Sequence, residues 1–193
     1  MSKHRISKAI PHRKKKKKEV KAEIQKSLSR GESKSRVFHQ FSGKGLSDRV
    51  IANLIASHAS PELCDRHAKL IDAMIVISWL QLALGVLIGI GLVIDLSLTA
   101  GLIITGLIAG FCYLFVWGFT HNKAWAYNAT ILLSIVNLPK GLEDFGSSPI
   151  SSLVGLTLGA GLIAFTWYVR SKLFPDFAFI WPKKVKGQFV FSS

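Results

Sequence analysis

The chain has 193 residues, a formal net charge of +14 and 49% hydrophobic residues. Its charge is unevenly distributed, since residues 1–72 hold 18 Lys and Arg against 7 Asp and Glu, whereas residues 73–170 hold three of each sign. A basic, polar head is joined to a nearly uncharged body, and this excludes an ordinary soluble domain because too little polar surface remains to cover the apolar part.

The chain begins with a basic segment, residues 1–18, which includes five consecutive lysines, Lys14, Lys15, Lys16, Lys17 and Lys18. This segment has a high charge and almost nothing to bury, so we expect a disordered polybasic tail. The lysines are not the n-region of a signal peptide, because the first apolar segment begins about fifty residues later.

Residues 19–60 predict a small cytoplasmic region of short helices, near residues 19–30, 34–42 and 48–57. Two similar stretches, GESKSRVFHQF and GLSDRVIANLI, begin 14 residues apart, and each places a serine (Ser33 or Ser47) as the N-cap of a helix. A further helix begins at Pro61 and can continue into the first apolar span. The apolar residues expected to share one core are Ile24, Leu28, Val37, Phe38, Phe41, Val50, Ile51, Leu54 and Ile55.

Four apolar segments predict transmembrane helices, since about 20 apolar helical residues span the bilayer core. We place them near residues 73–94, 98–119, 124–142 and 150–170, in a membrane bundle of residues 61–170. The third is shorter, WAYNATILLSIVNL, and carries Asn128 and Asn137. The predicted fold class is all-α, an integral membrane bundle of four transmembrane helices with a small helical cytoplasmic N-terminal region.

The segments that flank the spans predict that both termini lie in the cytoplasm, because Lys and Arg are retained on that side. The first loop holds only Asp95 as a charge, the second holds Lys123, and the third holds Lys140 with two acidic residues. Residues 171–193 form a basic, aromatic tail, whose two prolines favour an irregular segment along the inner interface. We expect the chain in a bacterial inner (plasma) membrane.

Glycine pairs spaced GxxxG recur in three spans: Gly85 with Gly89, Gly106 with Gly110, and Gly155 with Gly159. Such pairs let helix backbones approach closely, although glycine is also generally common in membrane helices. The third span has no such pair, and we expect Asn128 and Asn137 to form hydrogen bonds with neighbouring helices instead.

The lysine run and the tail residues Lys183, Lys184 and Lys186 are candidate contacts with anionic lipid. Each lysine near an acidic leaflet contributes about 1 kcal/mol of attraction. Binding to nucleic acid would be non-specific at most, because the helix near residues 48–57 offers only Arg49 and Asn53 to base edges. A solvated tail with no fixed partner is the alternative.

No motif indicates an enzyme, a metal site or a cofactor. His58, Cys64, Asp65 and His67 lie close together in the sequence, but Cys-x-x-His is only half of a zinc site and no second pair follows it in the head. The apolar segments contain no Asp, Glu or His, which disfavours active transport.

The sequence therefore favours a membrane anchor or interaction protein that presents its basic head at the inner leaflet. Its expected partners are the lipid bilayer and anionic lipids, with a second copy or another membrane protein as further options. Two alternatives stay open. One is an oligomeric channel or permeation subunit, in which polar residues of the third span face a common axis. The other is a toxin-immunity or defence protein, since the chain is similar in size and basic character to small polytopic immunity proteins.

Overall fold

A computed structural model describes residues 18–95, 97–143, 149–179 and 181–192. The predicted disordered tail, apart from Lys18, lies outside these residues. The described chain is mostly helical, which confirms the all-α prediction. Its elements are α1 (residues 18–29), α2 (Lys34–Phe41), α3 (Asp48–Ala56), α4 (Pro61–Arg66), α5 (Ala68–Asp95), α6 (Leu98–Thr120), α7 (Ala124–Glu143), α8 (Pro149–Leu173), β1 (Lys184–Val185) and β2 (Gln188–Phe189).

The chain divides into two compact units. The head unit comprises Met1–Ser60 together with Phe174–Ser193, and the bundle comprises Pro61–Leu173. The C-terminal tail is therefore part of the same folded unit as the N-terminal helices.

The head unit is built around one apolar core from α1, α2 and α3. Its buried members are Val20, Ile24, Leu28, Val37, Phe41, Leu46, Ile51 and Ile55, with Phe38, Leu54 and Phe191 packed against them. Val50 was expected in this core but is 39% exposed. The Ser33 hydroxyl accepts a hydrogen bond from the backbone N–H of Arg36 and caps α2 as predicted, whereas Ser47 makes no such side-chain bond at α3.

The tail of the head unit ends in a two-stranded antiparallel hairpin, not in the wholly irregular segment that the sequence indicated. Lys184 pairs with Phe189 and Val185 with Gln188. The two residues between the strands, Lys186 and Gly187, both have positive φ, at 50° and 81°. Two such residues are typical of the tight turn that suits twisted strands. Prolines in the tail count against a helix but not against this turn.

The bundle is assembled from two antiparallel helical hairpins. Helix α5 packs mainly on α6, and α7 packs mainly on α8. Helix α4 is a single short helix that a turn at His67 separates from α5. The helix that begins at Pro61 is therefore interrupted before the first span, a break that the sequence pattern did not indicate.

Three helical segments in the described chain are long and apolar enough to cross a membrane: Ala68–Val93, Leu98–Thr120 and Pro149–Leu173. Helix α7 occupies the position predicted for the third span, but it does not belong to this set. Its sequence is less apolar than those of the other three, since it includes two asparagines, Lys140 and Glu143. The membrane prediction is thus supported at three spans.

The bundle exposes large apolar side chains over much of its outer surface. Leu87, Ile88, Leu107 and Leu158 are each more than 60% exposed. Exposed apolar surface of this extent is rare on soluble monomers and marks a surface that meets lipid or another protein. The surface composition therefore agrees with the hydropathy of α5, α6 and α8.

Candidate functional site

The four long helices pack tightly at the end of the bundle where α5 and α7 begin and where α6 and α8 end. Met74, Phe119, Tyr127 and Val169 are each at most 1% exposed there. The rings of Phe119 and Tyr127 meet edge to face with their centroids 4.9 Å apart, and the Thr166 hydroxyl lies 3.8 Å from the Met74 sulfur. We call this the closed end of the bundle.

Arg170 joins α8 to α7 at the closed end. Its Nε donates a hydrogen bond to the Oδ1 of Asn128, and its guanidinium lies 5.5 Å from the ring centroid of Trp167. A buried guanidinium is costly unless it is hydrogen-bonded. Asn128 thus contacts a neighbouring helix, as expected. Asn137 instead donates to the Leu133 carbonyl of its own helix, at 2.8 Å.

A cavity of about 560 Å³ lies between the two helical hairpins of the bundle. We call it the cleft. All four long helices contribute to its lining, which consists of Ser78, Gln81, Phe111, Cys112, Phe115, Thr130, Leu133, Ser134, Asn137, Leu138, Gly155, Leu156 and Gly159. The lining is mostly apolar, and within the described chain it includes no acidic or basic side chain.

Several polar groups of the cleft lack a partner in the described part of the chain. Thr130 is only 8% exposed, and its hydroxyl makes no hydrogen bond there. The side chains of Gln81 and Ser134 are likewise unpaired with any described group. By contrast, Ser78 donates to the Ile75 carbonyl at 2.8 Å.

The predicted glycine pairs differ in what they contact. A Cβ atom added at Gly85 would lie 3.0 Å from Ile108, and one added at Gly89 would lie 2.7 Å from the Thr105 hydroxyl, so this pair lies against α6. Gly159 lies more loosely against Leu138 of α7, with the corresponding atoms 3.5 Å apart.

The other predicted glycines have open space in the described structure. A Cβ at Gly106, Gly110 or Gly155 would meet no described atom within 4 Å. The close approach within the α5–α6 hairpin instead involves the opposite face of α6, which carries Thr105. Among the described residues, the second GxxxG pair of the sequence is therefore not at a helix contact.

Two glycines that the sequence pattern missed are the most closely packed of the described glycines. A Cβ at Gly101 would lie 2.6 Å from the Cα of Val93, and one at Gly118 would lie 2.6 Å from the Cβ of Ala126. Gly101 stands four residues before Thr105, so a search for any two small residues at that spacing would have found this contact.

The candidate lipid-binding lysines are distributed over the head unit. Lys14, Lys15, Lys16 and Lys17 lie outside the described residues, while Lys18 is exposed. Lys183, Lys184 and Lys186 are all exposed on or beside the β-hairpin. The Lys184 ammonium also lies 4.5 Å from the ring centroid of Phe189. The tail therefore presents three cations on one short hairpin.

A buried ion pair joins the tail to α2 within the head unit. The Lys34 ammonium lies 2.6 Å from Oδ2 of Asp176, and these residues are 8% and 2% exposed. The other carboxylate oxygen accepts hydrogen bonds from the backbone N–H and the hydroxyl of Ser192, each at 2.6 Å. Sequence analysis missed this pair, because a single Asp in a basic tail looks like ordinary surface charge.

Aromatic and cationic contacts add to this junction. Phe38 of α2 lies 5.6 Å from Phe189 and 5.4 Å from Phe191, measured between ring centroids. The Arg49 guanidinium of α3 lies 3.9 Å from the ring centroid of Trp181. Such cation–π contacts are favourable by about 0.5–2 kcal/mol. Arg49, which was considered as a base-reading residue, is thus engaged with the tail.

The His58–His67 region has no metal-binding geometry in the described structure. No group of three or more His, Cys, Asp and Glu side chains there is arranged to hold an ion. Burial, and secondly the carboxylate of Asp65, raise the pKa of the Cys64 thiol above its ordinary value. A thiol with a raised pKa is a poor nucleophile at neutral pH.

No known protein family, curated protein or solved structure matches this chain.

Proposed function

We propose that this protein is a four-span anchor of the bacterial inner membrane that presents a basic folded unit, made from both ends of the chain, at the cytoplasmic leaflet. The observation that carries this proposal is that the head unit is made of two segments from opposite ends of the chain. Residues from before the first span and after the last span fold together and share the buried Lys34–Asp176 ion pair.

A folded unit made of segments from before the first span and after the last span supports an even number of membrane crossings. Two segments that share one core must lie in one compartment, because a folded unit cannot be divided by a bilayer. Three crossings would separate Lys34 from Asp176, whereas four keep them together. The fourth crossing is then α7, whose 20 residues extend about 30 Å, roughly the thickness of the hydrocarbon core.

Contacts at the closed end also support α7 as a crossing helix. Tyr127 packs on Phe119 of α6, and Asn128 accepts a hydrogen bond from Arg170 of α8. Both neighbours are themselves candidate spans. Contacts with two candidate spans are what a fourth crossing helix would make, so they support the proposal.

The cytoplasmic side is proposed from the distribution of Lys and Arg, which are retained on that side of bacterial membranes. The head carries the lysine run, and the tail carries exposed lysines on its hairpin. Anionic lipid headgroups of the inner leaflet are then the nearest partner of matching charge.

The closed end of the bundle does not favour a permeation path through one protomer, since its side chains fill the space between the helices. A channel made from several copies would require a path along the outer surface of the bundle, where the exposed side chains are mostly apolar, with Gln81 and Asn137 among the polar ones. No observation in the described chain favours that arrangement over the anchor.

Accessibility of single cysteines tests the proposed topology. In a background where both native cysteines are alanine, cysteine is introduced at Ser2, Ser97, Ser148 or Ser193. A membrane-impermeant maleimide should label positions 97 and 148 in spheroplasts, and positions 2 and 193 only after permeabilisation. Labelling of positions 2 and 193 from opposite sides would overturn the four-span anchor.

A further inference from the structure

We propose that the cleft between the two helical hairpins is a binding site for an uncharged membrane lipid that has a hydrogen-bonding headgroup on a hydrocarbon chain, such as a diacylglycerol. This goes beyond the anchor function, because it assigns a specific ligand to the interior of the bundle. Its volume of about 560 Å³ lies within the range of about 300–1,000 Å³ that ligand sites occupy.

The lining fits an amphiphile better than either water or a pure hydrocarbon. Phe111, Phe115 and Leu156 provide an apolar wall for a chain. Thr130 is more than nine-tenths buried, lines the same space and has no hydrogen-bond partner in the described residues. A ligand with a hydrogen-bonding group in this space can pair with the Thr130 hydroxyl.

The lack of charged side chains in the described lining determines the class of ligand. Within the described chain no acidic or basic group faces the cleft, so an ionised headgroup would be buried without a counter-charge. Such burial is strongly unfavourable. Neutral hydroxyl and ester groups, by contrast, match the neutral donors and acceptors of Gln81, Ser134 and Asn137.

The position of the cleft indicates that the ligand comes from the bilayer. Gln81, Ser134 and Gly159 each lie near the middle of their helices, which in the proposed four-span topology is the depth of the hydrocarbon core. The closed end blocks access to the cleft from the end of the bundle where α5 and α7 begin. Gln81 and Asn137 are nevertheless exposed, so the cleft is partly open at its side. Lipid chains at that depth are the molecules that reach the opening.

Photocrosslinking of the full-length protein in nanodiscs tests this assignment. The probe is a diacylglycerol with a diazirine near the middle of one acyl chain. It should label peptides that contain residues 130–138 and 155–159, and unlabelled diacylglycerol should compete. Phosphatidic acid with the same chains and the same diazirine should label these peptides at least about tenfold less.

Two leucine substitutions on α8 form a matched pair. Gly155 lines the cleft and Gly161 does not, yet a Cβ at either position meets no described atom within 4 Å. Gly155→Leu should reduce labelling by about tenfold, the effect of losing about 1.4 kcal/mol of binding. Gly161→Leu should leave the labelling unchanged and reports any general effect of leucine on α8.

Thr130→Val provides a second, nearly isosteric variant that removes the hydroxyl without filling the cleft. It should reduce labelling by about threefold to tenfold, the effect of losing about 0.7–1.4 kcal/mol of binding with the hydrogen bond. Equal labelling of the cleft peptides by phosphatidic acid would overturn the uncharged-ligand assignment. Three other results would overturn the site. They are labelling confined to peptides that face outward, crosslinks to a second copy of the protein instead of to the cleft peptides, and unchanged labelling of Gly155→Leu.

Discussion

Removal of either partner of the Lys34–Asp176 pair should selectively destabilise the head unit. Asp176 uses Oδ2 for the Lys34 ammonium and Oδ1 for the two donors of Ser192. In Asp176→Asn, one of these oxygens becomes an NH₂ group. Whichever way the amide is turned, a donor then faces a donor, at either the ammonium or Ser192.

The size of the destabilisation follows from the burial of Lys34 and Asp176, which are 8% and 2% exposed. Removing one partner of a buried pair costs about 3–5 kcal/mol, because the remaining charge is left uncompensated. We expect Asp176→Asn near the upper value. Lys34→Met should lie near the lower value, because the remaining carboxylate keeps both donors of Ser192. The double variant should be less destabilised than the sum, by about 1–3 kcal/mol.

Hydrogen exchange of the intact protein in nanodiscs measures this effect. A loss of about 3 kcal/mol corresponds to roughly hundredfold faster exchange of the most protected α2 and α3 amides. Amides at the closed end of the bundle serve as an internal reference that should not change. Lys21→Met, at an exposed position on α1, is the matched control. If Lys34→Met behaved like this control, the pair would not be what holds the tail to α2, and the support for four crossings would weaken.

Three further predictions concern the other parts of the chain. Gly101→Ala should lower the free energy of unfolding in detergent by about 1–3 kcal/mol, because the added Cβ overpacks against Val93, and thermal denaturation measures this loss. Gly106→Ala should be neutral or stabilising, because its Cβ has space. A peptide of residues 1–18 should bind anionic vesicles with a strong salt dependence, and equal binding to neutral vesicles would contradict the lysine proposal. The thiol of Cys64 should react with iodoacetamide more slowly than a free cysteine at pH 8. Its rate should keep rising above pH 9, and Asp65→Asn should accelerate it, because burial and the Asp65 carboxylate both raise its pKa.

The positions of the helices could largely be predicted from the sequence, because apolar length and capping residues are local properties. The predicted span at 98–119 corresponds to α6 at Leu98–Thr120, and the predicted helix at 34–42 corresponds to α2 at Lys34–Phe41. The break at His67 is different. Nothing in the adjacent sequence is a strong helix breaker, so the interruption has no local signal.

The contacts were less predictable, because a sequence pattern gives the face of a helix but not its neighbour. The pattern GxxxG identifies residues that permit close approach, and Gly85 and Gly89 do lie against α6. On α6 itself, two faces carry small residues at the required spacing. The face with Gly101 and Thr105 is the one used, and only the partner helix decides between them.

The junction between the ends of the chain was beyond sequence analysis for a related reason. Lys34 and Asp176 are 142 positions apart, with the whole bundle between them. Considered alone, Lys34 is one of many lysines in a basic head, and Asp176 is the single acid of a basic tail. Burial is what distinguishes them, and burial depends on the completed fold.

In both units the exposed side chains match their surroundings, which are water for the head unit and lipid for the bundle. The head unit buries Ile24, Ile51 and Ile55 and faces water with lysines. The bundle exposes its leucines and places Thr130 and Thr166 inside. Polar groups inside a membrane bundle must be paired within the protein or by a ligand, since the surrounding lipid offers no hydrogen bonds. Thr166 meets this requirement weakly through the Met74 sulfur, and Ser78 and Asn137 meet it through carbonyls of their own helices. The hydroxyls of Thr130 and Ser134, which also line the cleft, have no partner among the described groups. The same inside-out arrangement that makes the chain a membrane protein therefore also makes the cleft the place where a second, neutral molecule fits.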